Sequence, residues 1–160
     1  MRRPRFTSLL MLPCLVLLSG CTEAVNFNDT MVELTKDLEK AGRTFGEKVV
    51  RHERHRDQLD EDYADVVGEV GKIAKRARAV AVPNLKGAKA YHDAFLEYIE
   101  FEEDLADREC RKIVSAAGRG DRESLMTNLE RFGKREQEEI ARLKAAQKAF
   151  AEANNLTVRE

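Results

Sequence analysis

Glu102 and Glu136 occupy matching places on two apolar stripes. Glu102 keeps step with Ile99 and Ala106, and Glu136 with Phe132 and Ile140. If the stripes are neighbouring helices joined near Gly120, the two glutamates lie about equally far from the joint and face each other across a seam. Close carboxylates raise one another's pKa, so that one can hold a proton. Such a pair can also do acid–base work, as in a hydrolase. The simpler reading makes them seam-edge side chains that pair with Arg108, Lys134 or Arg135. His52 and His55 are three residues apart and share a face if that stretch is helical. Imidazoles so spaced can ligate zinc, copper or nickel. No cysteine or carboxylate is clearly placed to complete a stable set of three or four ligands, so no metal and no cofactor is assigned.

Other chemistry finds less support. Di-iron bundles use Glu-x-x-His on two helices, but Val49, His52 and Lys89 stand three residues before His52, His55 and His92. There is no Cys-x-x-Cys-His for covalent haem. No Ser-His-Asp set, glycine-rich phosphate loop or Cys-His pair can be assembled, and the chain reads as non-enzymatic. His92, beside Tyr91 and Phe95, reads as a packing residue. Two groups of cations stand out. Lys48, Arg51, Arg54 and Arg56 surround the histidine pair, and Arg111, Lys112, Arg119 and Arg122 flank Gly118–Asp121. Brought to one tip, they would suit an anionic partner: cell-wall polymer, lipid headgroups or an acidic protein surface. The plainer reading is a solvated loop balanced by Asp57, Asp60, Glu61, Asp62 and Asp121.

The N-terminus carries a different kind of signal. Arg2, Arg3 and Arg5 precede an apolar run from Leu9 to Leu18, and small residues follow before a cysteine. That is the layout of a secretory signal. The run is about ten residues long, half of what a spanning helix needs. The closing tetrad Leu18-Ser19-Gly20-Cys21 resembles the box of a bacterial lipoprotein signal. The resemblance covers residues 1–21 only. It implies cleavage before Cys21, a diacylglyceryl thioether on the Cys21 sulfur and usually an acyl chain on the new amine. Two or more chains hold a protein stably to a bilayer. The chain is then expected on a bacterial envelope membrane, facing the periplasm. Enterobacterial lipoproteins kept in the inner membrane carry aspartate after the cysteine, so Thr22 favours the outer membrane by the same resemblance.

The organisation that follows is a removed signal over 1–20, a lipidated cysteine and short tether over 21–28, a helical domain over 29–156 and a tail over 157–160. Removing three signal arginines from 28 basic and 29 acidic residues leaves 25 against 29, a net charge of −4. That is no nucleic-acid signature. Cys14 leaves with the signal and Cys21 is lipidated, so Cys110 stands alone and forms no internal disulfide. It reads as a small apolar residue, or else as half of an intermolecular disulfide.

The composition is that of an all-α protein: no tryptophan, few aromatics, and only Pro83 among prolines after the signal. One seam reads Phe27, Met31, Leu34, Leu38, Ala41, Phe45, with a capping box at Thr30-Met31-Val32-Glu33 to start its helix. A second reads Leu59, Tyr63, Val66, Val70, Ile73, Ala77, Val80, out of phase with the first. Carrying the first seam forward lands on Lys48, His52 and His55; with one stutter it lands on Val49, His52 and Arg56. Either way the core face turns polar. A break between about Arg51 and Asp57 follows, with Asp57 as a candidate cap. Pro83-Asn84 should end the second helix, with Asn84 capping the third. Gly118–Asp121 should be the next turn, with Asp121 as cap, and Asn154-Asn155 the final stop. The third and fourth stripes read Tyr91, Phe95, Ile99, Ala106, Cys110, Ile113, Ala117 and Leu125, Leu129, Phe132, Ile140, Leu143, Phe150. Short connections force antiparallel neighbours, so the expected fold is an up-down four-helix bundle. Without the break, residues 30–82 would form one long helix in a three-helix, coiled-coil-like bundle, and a second copy would cover its exposed half.

Overall fold

The computed structural model describes residues 16–52 and 54–157, with side chains from Thr22 onward. The positively charged start of the signal, the Cys21 sulfur and the last residues of the tail lie outside the described residues. The described chain is all-helical and forms a helical bundle: α1 (Val16–Arg51), α2 (Arg56–Arg78), α3 (Ala88–Arg119) and α4 (Arg122–Ala153). The break after Arg51 divides the first two helices, which removes the alternative of one helix over residues 30–82. The heptad seams become the core. Met31, Leu34, Phe45, Leu59, Ile73, Phe95, Ile99, Ile113 and Phe150 are all buried. Val49 is buried as well, so the core follows the stuttered path at the end of α1.

Three sequence expectations about helix ends are corrected. Thr30 does not start α1: its hydroxyl donates back to the Asn26 carbonyl at 2.8 Å, in mid-helix. Ala24 and Phe27 belong to the core, so helix formation continues upstream because apolar contacts reward it there. Residues 21–28 are therefore helix and not a loose tether. Asp57 does not cap α2. His55 occupies that position without a side-chain bond, and Asp57 sits in the first turn, where its charge suits the helix dipole. Asn84 does not cap α3; Gly87 does, at φ 81°, after α2 has already ended at Arg78. Asp121 behaves as the sequence suggests, accepting from the Ser124 N–H at 3.1 Å. Asn155 takes φ 56° just past the end of α4.

Cross-helix contacts tie the elements together. Arg76 pairs with Glu33 at 3.2 Å, and Lys48 with Asp65 at 2.8 Å. Tyr63 donates to Asp107 at 3.0 Å, and Arg131 to Glu109 at 2.9 Å. An aromatic cluster joins Phe27 of α1 and the first turn of α3 to the last turn of α4. The Phe27 ring lies 5.9 Å from Tyr91 and 5.3 Å from Phe150, both edge-on. Beside it, Gln147 donates to Asn28 at 3.2 Å. Elsewhere the turn between α1 and α2 rests on the α3–α4 turn, where the Arg54 N–H donates to the Ala117 carbonyl at 3.2 Å. Helix α4 is the least enclosed, burying only Leu125, Leu143, Phe150 and Ala151.

Candidate functional site

Glu102 comes to lie inside the bundle, 7% exposed, on the α3 stripe that supplies Ile99 and Ala106 to the core. Its carboxyl is pushed up to about 8, first by burial and then by the charge of Glu136. Half-buried Glu136 on α4 is itself pushed up, by burial and then by Glu39 of α1. Carboxylates from three helices thus act on one another at this level. Arg108, Lys134 and Arg135 do not neutralise them. Arg108 pairs with Asp104 at 2.7 Å, Arg135 stacks on Phe101 and reaches Glu109, and Lys134 forms no ion pair among the described residues. Tyr98, one turn before Glu102, is also fully buried. Its hydroxyl is close enough to pull the Glu102 value back slightly. Yet neither that hydroxyl nor Glu102 Oε1 has a hydrogen-bond partner of proper geometry. A void of about 10 Å³ borders Glu102, Gly42, Cys110 and Phe132, room for one water-sized group. The site can hold a proton beside a water-sized void. Cys110 beside it is buried, and its thiol is pushed up to about 12 by that burial. A thiol so placed cannot form an intermolecular disulfide in the folded chain.

His52 and His55 diverge. His52 Nδ1 lies 2.6 Å from Asp62 Oδ2, and Lys48 approaches the other oxygen of that carboxylate at 3.4 Å. Asp62 is 5% exposed while His52 is half-buried, so the pair is a clasp with a buried acid across the α1–α2 turn. His55 is exposed at the start of α2. Among the described residues no group of three histidine, cysteine or acidic side chains is placed to hold a metal ion. The clasp was missed in sequence because Asp62 reads as one of several loop acids; only the turn brings it to His52. His92 is buried and its Nε2–H donates to the Ala77 carbonyl at 3.1 Å, satisfying a terminal group of α2.

The two cation groups do meet. Arg54 holds φ 74°, and its guanidinium lies over Gly120, where an added Cβ would fall 2.8 Å from Nε. Arg51, Arg54, Arg56 and Arg122 are exposed and form no ion pair among the described residues. Arg119 donates to Ser115 at 2.6 Å, and Arg111 lies over the Tyr63 ring. A cleft of about 370 Å³ opens here between Arg56, Asp60, Arg111, Ser115 and Arg119. Asp57, Asp60, Glu61 and Glu123 are exposed in the same neighbourhood and moderate its charge.

Two further features were not legible. Glu109 reads as a surface acid, yet it is buried and gathers Lys112, Arg131 and Arg135. Lys112, first, and Arg131 hold its carboxyl below the usual range against the cost of burial. A groove of about 490 Å³ runs between α1 and α2 over Phe45 and Val66. Its charges are of both signs and largely answer each other, as in Lys48–Asp65 and Lys72–Glu69.

A scan of protein-family models and searches of curated proteins and solved structures found no match to this chain. No described helix is long and apolar enough to cross a membrane.

Proposed function

We propose that the chain is a lipid-anchored, periplasm-facing binding or scaffold protein of the bacterial envelope, without enzymatic activity. In this reading Cys21 carries the lipid, and the helices run up and down as an antiparallel bundle. The pairs Glu33–Arg76, His52–Asp62, Glu109–Arg131 and Phe27–Phe150 support that order, because rising numbers in one helix meet falling numbers in the next. The observation that carries the reading is the continuity of α1. Three residues after Cys21 stands Ala24, 1% exposed, and the same helix continues to Arg51. A lipid on Cys21 would thus be joined to the core with no slack. At 1.5 Å per residue, Arg51 stands about 45 Å along the helix from the anchor. The bundle becomes a rigid arm that offers its cationic tip to an anionic partner: cell-wall polymer or the acidic face of an envelope protein.

The test is cross-linking in the native envelope with the acylated protein. Reversing Arg51, Arg54, Arg119 and Arg122 to glutamate should abolish the cross-linked species while the protein stays in the membrane fraction. An unchanged pattern refutes the tip. A second reading, a small-ligand or metal-binding bundle, draws its one support from the unpartnered Tyr98 hydroxyl and Glu102 Oε1. Metal analysis of the purified protein, at His52/His55 and Glu102/Glu136, decides it. Homo-oligomers remain part of the proposal only where a second copy supplies the partner surface.

A further inference from the structure

The connection between α2 and α3 contains four consecutive apolar residues, Val80-Ala81-Val82-Pro83. Ala81 is exposed and Val82 is 40% exposed. The strap packs along residues 23–27 of α1, where a groove of about 390 Å³ is lined by Glu23, Asn26, Phe27, Val80, Val82 and Pro83. Those α1 positions begin two residues after Cys21, within about one turn, or 5.4 Å of rise. Val25, on another flank of the same turn, is 42% exposed. Val82 and Val25 are thus exposed close to the point where the anchor reading puts the bilayer.

We propose that this strap rests in the lipid interface beside the anchor and forms a second, non-covalent membrane contact. The inference rests on the anchor reading above. A single tethered point leaves an arm free to tilt; a second contact on one side fixes which flank faces the leaflet. The backbone sets the depth. The Ala81 and Val82 N–H groups make no backbone hydrogen bond among the described residues, and such groups cannot enter hydrocarbon unsatisfied. The strap should therefore lie at the headgroup–acyl boundary, where water still reaches it. Lys86 is exposed beside the strap and forms no ion pair among the described residues, and Glu23 lines the groove. Their opposite charges make the contact apolar in origin and weakly dependent on salt or on anionic lipid.

The chain contains no tryptophan, so a single introduced one reports alone. Val82→Trp and Val50→Trp, each made in the full acylated protein, are reconstituted in phosphatidylcholine vesicles with brominated acyl chains. Val50 is 60% exposed near the opposite end of α1 and serves as the control. Quenching of Val82→Trp by at least twofold, with Val50→Trp unaffected and no change in 0.5 M salt, is the expected result. Protein that floats with the vesicles while Val82→Trp stays unquenched overturns the strap and leaves the anchor standing. Blue-shifted but unquenched emission places the strap against protein, in its own fold or a second copy, and overturns the lipid assignment. Protein that fails to float overturns both.

Discussion

Replacing Glu102 with glutamine should flatten the pH dependence of stability. The folded carboxyl sits at about 8 against an ordinary 4.5, through burial and the neighbouring Glu136. Between those values the folded chain keeps a proton that the unfolded chain has lost. Stability therefore falls as pH rises through this window, and the loss is complete above about 8. The gap corresponds to roughly 5 kcal/mol, taking about 1.36 kcal/mol per tenfold change in proton affinity. That is a large share of the roughly 5–15 kcal/mol that holds an ordinary domain together. Glutamine has the shape of the protonated acid and no proton to lose. The assay is urea unfolding of the full chain, followed by helical circular dichroism, at several values between pH 5 and pH 9. Near pH 5 the variant should match the natural chain within about 1 kcal/mol. At pH 9 it should be more stable by several kcal/mol. Some slope should persist in the variant, because Glu136 is raised in the same direction. Asp65, Asp107, Glu109 and Asp121 are all lowered, so the stability they lend disappears only in acid. Parallel pH profiles for the two chains would refute the reasoning.

Phe150→Ala removes the ring that joins α4 to Phe27 and Tyr91, and should cost about 3–5 kcal/mol in urea unfolding. Gly120→Ala puts a Cβ at φ 66° against the Arg54 guanidinium, and should cost about 1–2 kcal/mol by the same measurement. Asp62→Ala breaks the clasp on His52 and Lys48; both side chains are partly exposed and can rehydrate, so the expected loss is about 1–2 kcal/mol. In protein whose Cys21 is lipidated, Cys110 should resist thiol reagents in buffer at pH 8 and react at once in denaturant, as read by mass.

The helices were legible because burial follows period. Every residue on the α3 stripe, from Tyr91 to Ala117, is buried as its spacing implies. The break after Arg51 was legible for the complementary reason: an uninterrupted helix would have turned His52 and its neighbours into the core. Helix starts were harder to place. Thr30 has the right cap chemistry, but Ala24 and Phe27 find core partners upstream, and tertiary packing outweighs a local cap. The α2–α3 connection was misplaced because Pro83 draws attention, whereas α2 ends at Arg78 and the chain needs Gly87 for its left-handed turn. The influence of Glu136 on Glu102 could be anticipated by counting from the turn near Gly120. The isolation of Glu102 from arginine could not, since Arg108 and Arg135 find other acids. Asp62 was hidden because His52 and Lys48 reach it across the α1–α2 turn, and Glu109 because Arg131 and Arg135 reach it from α4; a linear reading brings neither set together.

In the proposed reading a lipid on Cys21 stands at the head of an unbroken α1. Mass spectrometry of the N-terminal peptide, from protein extracted out of its native membrane, decides whether it is there. The expected peptide begins at Cys21, lacks residues 1–20 and carries a diacylglyceryl group on sulfur. A peptide that retains residues 1–20 with an unmodified Cys21 thiol would contradict it.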